Sequence, residues 1–465
     1  MIFSSITFLF YFLPITLIIY YLAPNKFKNL VLFLVSTIFY TLGEPKYILL
    51  MLISCFSTYI HGLLIDKYKN TKYNKIFLIS SITISLGLLI YFKYIDFLIQ
   101  NINLFLKNKI DFLGVALPIG ISFYTFQMIS YIVDVYRGQA KVQKSFLKLA
   151  TYITLFPQLI AGPIVRYSSI EEQLDKREYS FEKFSNGVRR FVIGLSKKVL
   201  IANILGELIN IYIETGDRTL LFNWLYAISN MLQIYFDFSG YSDMAIGIGK
   251  MFGFEFPENF NYPYTATSIT DFWRRWHITL SRWFRDYVYI PLGGNRVHKM
   301  KWIRNIFIVW FLTGLWHGAN WNFILWGLYF GIILLIEKIY LLKYLQKTPK
   351  WINRIYVQIA VMISFIIFSG TGLKEIWNNI IGLIPINIEI SSLTSVYYLK
   401  SYFITFAIAI IASTPHITNK IKKIKESNSY KIINILEPIF LTTIFIISVS
   451  YIIDGSFNPF LYFRF

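Results

Sequence analysis

A single cysteine, Cys55, in 465 residues excludes a disulfide framework or a thiolate metal site within one chain. It lies inside an apolar run, where a thiol is inert packing. Charge is scarce too. Asp, Glu, Lys and Arg make up 15% of the residues, where a soluble domain carries about a quarter. Acidic residues are the scarcest part, 25 against 45 Lys and Arg, which leaves a net charge of +20. Histidine occurs five times. There is no Walker loop, no HExxH and no convincing G-x-S-x-G elbow, so none of the chemistries those motifs carry is expected. The same inventory predicts no metal site.

What the chain has in abundance is apolar sequence, 55% of its residues. Stretches of membrane-spanning length recur from end to end, which predicts an all-α polytopic membrane protein with roughly 11–12 transmembrane helices. The spans are expected near 5–22, 30–42, 47–65, 76–95, 113–136, 199–213, 220–249, 303–318, 321–341, 355–371, 400–414 and 436–453. The start, MIFSSITFLFYFLPITLIIYY, lacks a basic leader and an evident cleavage site and reads as a retained first helix. The stretch 149–164, LATYITLFPQLIAGPI, is apolar but holds two prolines and a glycine, so a re-entrant segment covered by protein is expected.

The positive charge sits in short loops between apolar runs, which argues against nucleic acid and for a membrane orientation. Lys26 and Lys28, then Lys67 to Lys75, then Arg137 to Lys148, Lys343 to Arg354 and Lys420 to Lys425 mark loops expected in the cytoplasm. Loops 214–219 and 372–399 are poorer in basic residues. That alternation puts both termini outside, including the tail 454–465, and leaves basic groups to meet anionic lipid headgroups. Residues 1–453 form one expected membrane domain, with a catalytic core near 113–341.

Three segments carry candidate chemistry. The first, WFLTGLWHGANWNFILWG over 310–327, keeps a histidine and two asparagines inside an apolar run, where polar groups are costly. From Asn305, His317 lies about 18 Å along a helix, deep in the bilayer. An imidazole there can take a proton from a hydroxyl whose oxygen attacks an acyl carbonyl. Trp316, Asn320 and Trp321 flank it. The bland alternative is a histidine that bridges two helices. The second segment, SITDFWRRWHITLSRWFRDYVYIPLGGN over 268–295, read as one helix, pairs Asp271 with Arg275 at i, i+4. It also puts Arg275, Arg282 and Arg285 on one side, suited to a phosphate-bearing donor. His277 is placed to orient the donor or a catalytic partner. Composition alone favours an amphipathic helix at the interface, anchored by Trp and Arg. The third, PENFNYPY over 257–264, follows a span holding Asp237 and Asp243, expected to be structural ion-pair partners for the arginines.

Taken together, these segments resemble the membrane-bound O-acyltransferase family, in the bacterial branch that includes the alginate O-acetylation protein. The likeness runs nearly end to end. It is densest over DFSGYSDMAIGIGKMFGFEFPENFNYPY, DFWRRWHITLSRWFRDYVYIPLGGNR and LTGLWHGANWNFILWG. The resemblance implies a ring of helices, with re-entrant and interfacial helices, around a central funnel. It implies His317 and His277 as catalytic histidines, with Arg275, Trp276, Arg282, Asn259, Trp316, Asn320 and Trp321 lining the substrate path. It implies no bound cofactor. The donor would be a cytoplasmic thioester, acetyl-CoA or an acyl carrier, and the partners an extracytoplasmic SGNH-type acetyltransferase and polysaccharide-synthesis machinery. The ending Phe460-Leu-Tyr-Phe-Arg-Phe465 is similar to the branch's F-x-Y-F-x-F tail, which would make Tyr462 an acyl relay. A terminal aromatic anchor at the interface is the plainer alternative.

The expected function is therefore delivery of an acetyl group for O-acetylation of an extracellular polysaccharide at the plasma membrane. D-alanyl transfer to teichoic acid is the neighbouring alternative, since FWRRWH and PENFN also resemble that sister branch. A transporter or lipid-handling channel is the alternative of another class. A transporter commonly shows two related halves with broken helices. None is evident here, and polar residues gather in 237–322.

Overall fold

The computed structural model describes residues 2–160, 162–426 and 430–455. Among these every regular element is helical. In chain order they are α1 (Phe8–Leu22), α2 (Lys28–Gly43), α3 (Ile48–Lys67) and α4 (Lys72–Ile102). Next come α5 (Ile121–Arg137), α6 (Phe146–Thr154), α7 (Phe156–Leu159), α8 (Tyr167–Asp175), α9 (Phe181–Ser196), α10 (Ile204–Thr215) and α11 (Leu220–Met251). The remainder are α12 (Ile269–Arg275), α13 (Ile278–Phe284), α14 (Lys299–His317), α15 (Trp321–Leu345), α16 (Lys350–Ser369), α17 (Leu373–Ile381), α18 (Leu393–Ala412), α19 (His416–Lys425) and α20 (Tyr430–Asp454).

Six of these, α3, α4, α15, α16, α18 and the Ile433–Asp454 part of α20, are long and apolar enough to cross a membrane; α1 is apolar but shorter. The protein is a multi-pass, all-α membrane protein. The other expected spans exist as helices of a different kind. In α11, 32 residues carry Asn223, Asn230, Asp237, Ser239 and Ser242, all buried. In α5 nearly every side chain is buried, Gln127, Ser130 and Asp134 included. These helices face protein rather than lipid, which is why they tolerate polar side chains.

The chain divides into two compact units, each described by itself. One holds the residues up to Phe191 with Ser242–Pro257; the other holds Val192–Tyr241 and the described chain from Glu258 onward. In the first unit the expected span 113–136 starts as a helix only at Ile121. Pro118 precedes it, and Gly120 caps it with φ +76°, a left-handed conformation that favours glycine. A Cβ on Gly120 would stand 2.6 Å from the Leu159 carbonyl oxygen, so the turn also needs the space. The broken segment 149–164 is indeed buried: Leu149, Tyr152, Leu155, Phe156, Gln158 and Leu159 are sealed from solvent. The Gln158 amide donates to the Tyr152 carbonyl at 2.5 Å, supplying a partner that an interrupted helix lacks.

Asp243 and Asp237 are ion-paired, but not with the arginines of 274–304. Arg190 of α9 holds Asp243 at 2.8 Å in the first unit. In the second, Lys198 holds Asp237 at 2.5 Å with both side chains almost fully buried. Long-range pairing between helices decided the partners, and sequence proximity did not reveal it. Lys198 lies in a wider, π-type stretch (Lys197–Asn203) that joins α9 to α10. Close approach of α11 is glycine-dependent there: a Cβ on Gly240 would meet the Gly194 carbonyl oxygen at 2.7 Å.

The tightest helix pair of the second unit is α14 against α15. A Cβ on Gly314 would fall 2.3 Å from the Phe323 carbonyl oxygen, and one on Gly327 would fall 2.2 Å from that of Trp310. Small residues let the backbones touch where lipid gives no hydrophobic drive for association. Gly327→Ala is expected to separate the pair and cost about 1–3 kcal/mol. Thermal unfolding in detergent should show a lowered midpoint for it and none for Gly87→Ala, whose Cβ would meet nothing within 4 Å. Lys198→Met is expected to cost about 3–5 kcal/mol, and Lys198→Met with Asp237→Leu distinctly less, because breaking a buried pair is worse than removing it. Equal losses for the single and double variants would refute the pair's structural role.

Candidate active site

The site grows from one irregularity. The segment 268–295 is not one helix: α12 ends at Arg275, α13 starts at Ile278, and His277 between them has φ +42°. Ser268 caps α12 by accepting from the Asp271 backbone N–H. The buried carboxylate of Glu337 on α15 accepts from the backbone N–H groups of Ile269 and Thr270 at 2.6 and 2.9 Å, and from the Thr270 hydroxyl. A carboxylate at a helix start meets both the free N–H groups and the positive end of the dipole. The interface-anchor expectation is corrected by the burial of Phe272, Trp273, Trp276, Trp283 and Phe284. The tryptophans turn into the protein, while Arg274 and Arg282 stay exposed.

The break also undoes the expected arginine face. Arg275 pairs with Asp271 at 3.0 Å, as the i, i+4 spacing predicts. Arg285 is engaged twice by its neighbour Asp286, at 2.6 and 3.1 Å. Arg282 lies beyond the break on a differently directed helix and is exposed, so the three do not line one helix side. The IPLGGN stretch forms a turn, with both Gly293 and Gly294 at positive φ. The Asn305 amide at the root of α14 donates to the Leu292 and Gly294 carbonyls.

His277 is fully buried. Its Nδ1 lies 3.1 Å from Asn259 Oδ1, and that oxygen also accepts from the Thr279 backbone N–H at 3.3 Å and the Thr279 hydroxyl at 2.8 Å. Burial pushes the imidazole down to about 3, so it is neutral at physiological pH. Phe238 meets its ring edge-on at 4.7 Å, and Trp316 stands 6.0 Å away.

His317 is the last residue of α14 and is 3% exposed. Its ring lies 5.1 Å from Trp316, 4.8 Å from Trp326 and 5.4 Å from Phe368, each edge-to-face. Trp316 is thus a ring neighbour of both histidines and joins the two motifs at one place. Trp276 lies in the adjoining aromatic layer, stacked on Phe272 and beside Phe365. Asn320 caps α15, its Oδ1 accepting from the Trp321 backbone N–H at 2.7 Å, and Trp321 is 54% exposed. Those two sit at the surface end of the motif, apart from the buried rings. Tyr462 lies outside the described residues. Among the described residues no cluster of three or more histidine, cysteine or acidic side chains suits a metal ion.

Sequence reasoning missed Trp326, Phe368, Phe238, Thr279 and Glu337. Thr279 was within reach, two residues past His277. Trp326 lay in the 310–327 motif without a role assigned; Glu337 of α15, Phe368 of α16 and Phe238 of α11 are remote in sequence, and only the fold brings them in. Chemically, the arrangement offers two imidazoles within an aromatic, water-poor enclosure, where proton transfer and acyl chemistry are shielded from hydrolysis.

Comparison with known proteins gives the family. The model of the membrane-bound O-acyltransferase family matches residues 138–376, a stretch that contains both histidines and Asn259. The chain is 41% identical over 382 residues to the probable alginate O-acetylase of Azotobacter vinelandii, covering 81% of this chain and 77% of that one. It is 35% identical over 423 residues to the peptidoglycan O-acetyltransferase of Helicobacter pylori, covering 83% and 80%. It is 32% identical over 286 residues to the teichoic acid D-alanyltransferase of Bacillus subtilis, covering 57% and 70%. Its motifs, its buried histidines and these likenesses make the chain a member of the membrane-bound O-acyltransferase family, an acyltransferase of the membrane.

Proposed function

We propose that this acyltransferase moves an acetyl group from a cytoplasmic thioester, acetyl-CoA or an acyl carrier, to the outer face for O-acetylation of an extracellular polysaccharide. The observation that carries the proposal is the shared contact of His277 and His317 with Trp316 inside a buried aromatic enclosure. Acetyl is preferred to D-alanine because the likeness to the O-acetylating relatives is higher and longer. The orientation proposed is both termini outside and the lysine-rich loops in the cytoplasm. The partners that the family resemblance implies suit that topology: a cytoplasmic donor, and an extracytoplasmic SGNH-type acetyltransferase working with polysaccharide-synthesis machinery, with anionic lipids beside the basic loops.

In the proposed mechanism His317 is the general base. It accepts the proton from an attacking hydroxyl while that oxygen forms a bond to the thioester carbonyl carbon. The carbon–sulfur bond then breaks, and the proton passes to the departing thiolate. The products are an oxygen ester and a free thiol. We assign the first hydroxyl to Tyr462 of the tail. A phenol, with its ordinary pKa near 10, is mostly protonated at neutral pH and needs such a base. The resulting aryl ester is in turn a good donor to the partner acetyltransferase outside. His277 and Asn259, with Arg275, Trp276 and Arg282, are assigned to the donor's path. Trp316, Asn320 and Trp321 are assigned to the enclosure around His317 and its outer mouth.

His317→Ala should lower acetyl transfer from labelled acetyl-CoA in isolated membranes by at least about a hundredfold, with the protein still inserted. Wild-type transfer in that variant would sink the general-base assignment. Tyr462→Phe should leave thioester binding intact and remove acetyl-tyrosine from the tail peptide, read by mass spectrometry with donor in excess and no polysaccharide present. An unacetylated wild-type tail under those conditions would exclude the relay. Labelling by activated D-alanine in place of acetyl would transfer the proposal to the D-alanyl reaction.

A further inference from the structure

Which nitrogen of His277 carries the proton follows from its neighbours. Thr279 decides it. A backbone N–H can only donate, and that of Thr279 meets the same Asn259 side-chain atom as His277 Nδ1 does, as does the Thr279 hydroxyl. An amide nitrogen at that position would set N–H against N–H, so the atom is the carboxamide oxygen. An oxygen without a proton can only accept, so His277 donates to it from Nδ1. A neutral imidazole has one ring proton, and Nε2 is therefore a bare lone pair.

That lone pair is sealed from solvent and has no hydrogen-bond partner among the described residues; nor has the Asn259 Nδ2 group. An unsatisfied acceptor in a buried site is costly. The backbone adds to the cost, since His277 sits at φ +42°. The same segment holds that strain: the Asn259 carbonyl accepts from Ile278 N at 3.0 Å, and Asn261 N donates to the Arg275 carbonyl at 2.9 Å. Asn259 and Asn261 thus hold the two sides of the helix break, and the Asn259 side chain meets the ring nitrogen.

We propose that Asn259 is a positioning residue that fixes His277 as the Nδ1–H tautomer, presenting Nε2 as a hydrogen-bond acceptor to an N–H or O–H of the bound substrate. The substrate's identity rests on the function proposed above; the tautomer does not. The test uses the full chain in lipid with its histidines labelled with nitrogen-15, the His277 signals being those absent from His277→Gln. The wild type should show a protonated Nδ1 and a bare Nε2, unchanged between about pH 5 and pH 8. Asn259→Asp should keep that pattern, and Asn259→Leu should lose it. A protonated Nε2 in the wild type, or an unaltered pattern in Asn259→Leu, overturns the proposal. Kinetics separate positioning from mere scaffolding. The carbonyl of Gln reaches the place of Nε2 and that of Asn the place of Nδ1. His277→Gln should therefore outperform His277→Asn in kcat/KM by about tenfold, roughly one hydrogen bond. Equal rates for the two would also overturn it. A chain that shows the tautomer but transfers no acyl group would leave this proposal standing and count against the function.

Discussion

A polar group carried into an apolar medium must find its partner within the protein, and that constraint sorts the helices of this chain into two kinds. Four of the six apolar spans are largely exposed along their sides, Ile433–Asp454 being 6% buried and Leu393–Ala412 17%, while α15 and α16, at 44% and 50%, are about half enclosed. The helices α5, α11 and α14 are the reverse, rich in buried Asn, Asp, Ser and His, and they meet other helices instead of lipid. The functional motifs fall on the second kind and on the half-enclosed spans α15 and α16 that pack against it. Enclosure by protein makes it possible to keep two histidines, an Asn and a Lys–Asp pair where bulk water does not reach.

Two devices make the enclosure hold. Glycines on α14 and α15 bring those backbones into contact, which sets Trp326 of one helix against His317 of the other. The interruption between α12 and α13 lets His277 leave the helical path and turn toward Phe238 and Trp316. Neither device is strong alone. The first is a matter of van der Waals fit; the second trades a residue in an unfavourable backbone region for a bracket of hydrogen bonds from 259–261.

Much of this was legible in the sequence, and the limits have physical causes. Periodicity and run length find the six apolar spans, because hydrophobic length is set by the bilayer, with ends displaced by up to seven residues, as at Ile102 and Leu393. They do not separate spans that meet lipid from helices wrapped by protein: α11 and α5 are the cases. Local pairing was read correctly for Asp271 with Arg275, where spacing alone decides. It failed for Asp237 and Asp243, whose partners come from the Lys198 and Arg190 region. The single helix expected over 268–295 failed at one residue, because the mild preference of histidine for left-handed backbone is too weak to mark a hinge; its hydrogen-bond partner Asn259 lies outside the segment. His317 stood out as a polar residue in an apolar run, and Trp326 lay in the same motif without a role assigned; nothing near them in sequence announced Phe368.

The Glu337 carboxylate has a mechanical consequence. It belongs to α15, one of the membrane-spanning helices, and it grips the first turn of α12, the helix that leads to His277. The other end of α15 lies near His317 through Trp326. A span adjusts its tilt to the thickness of the surrounding hydrocarbon. Because both attachments sit on α15, the start of α12 and the Trp326 wall of His317 are tied to one strut and move with it as a unit.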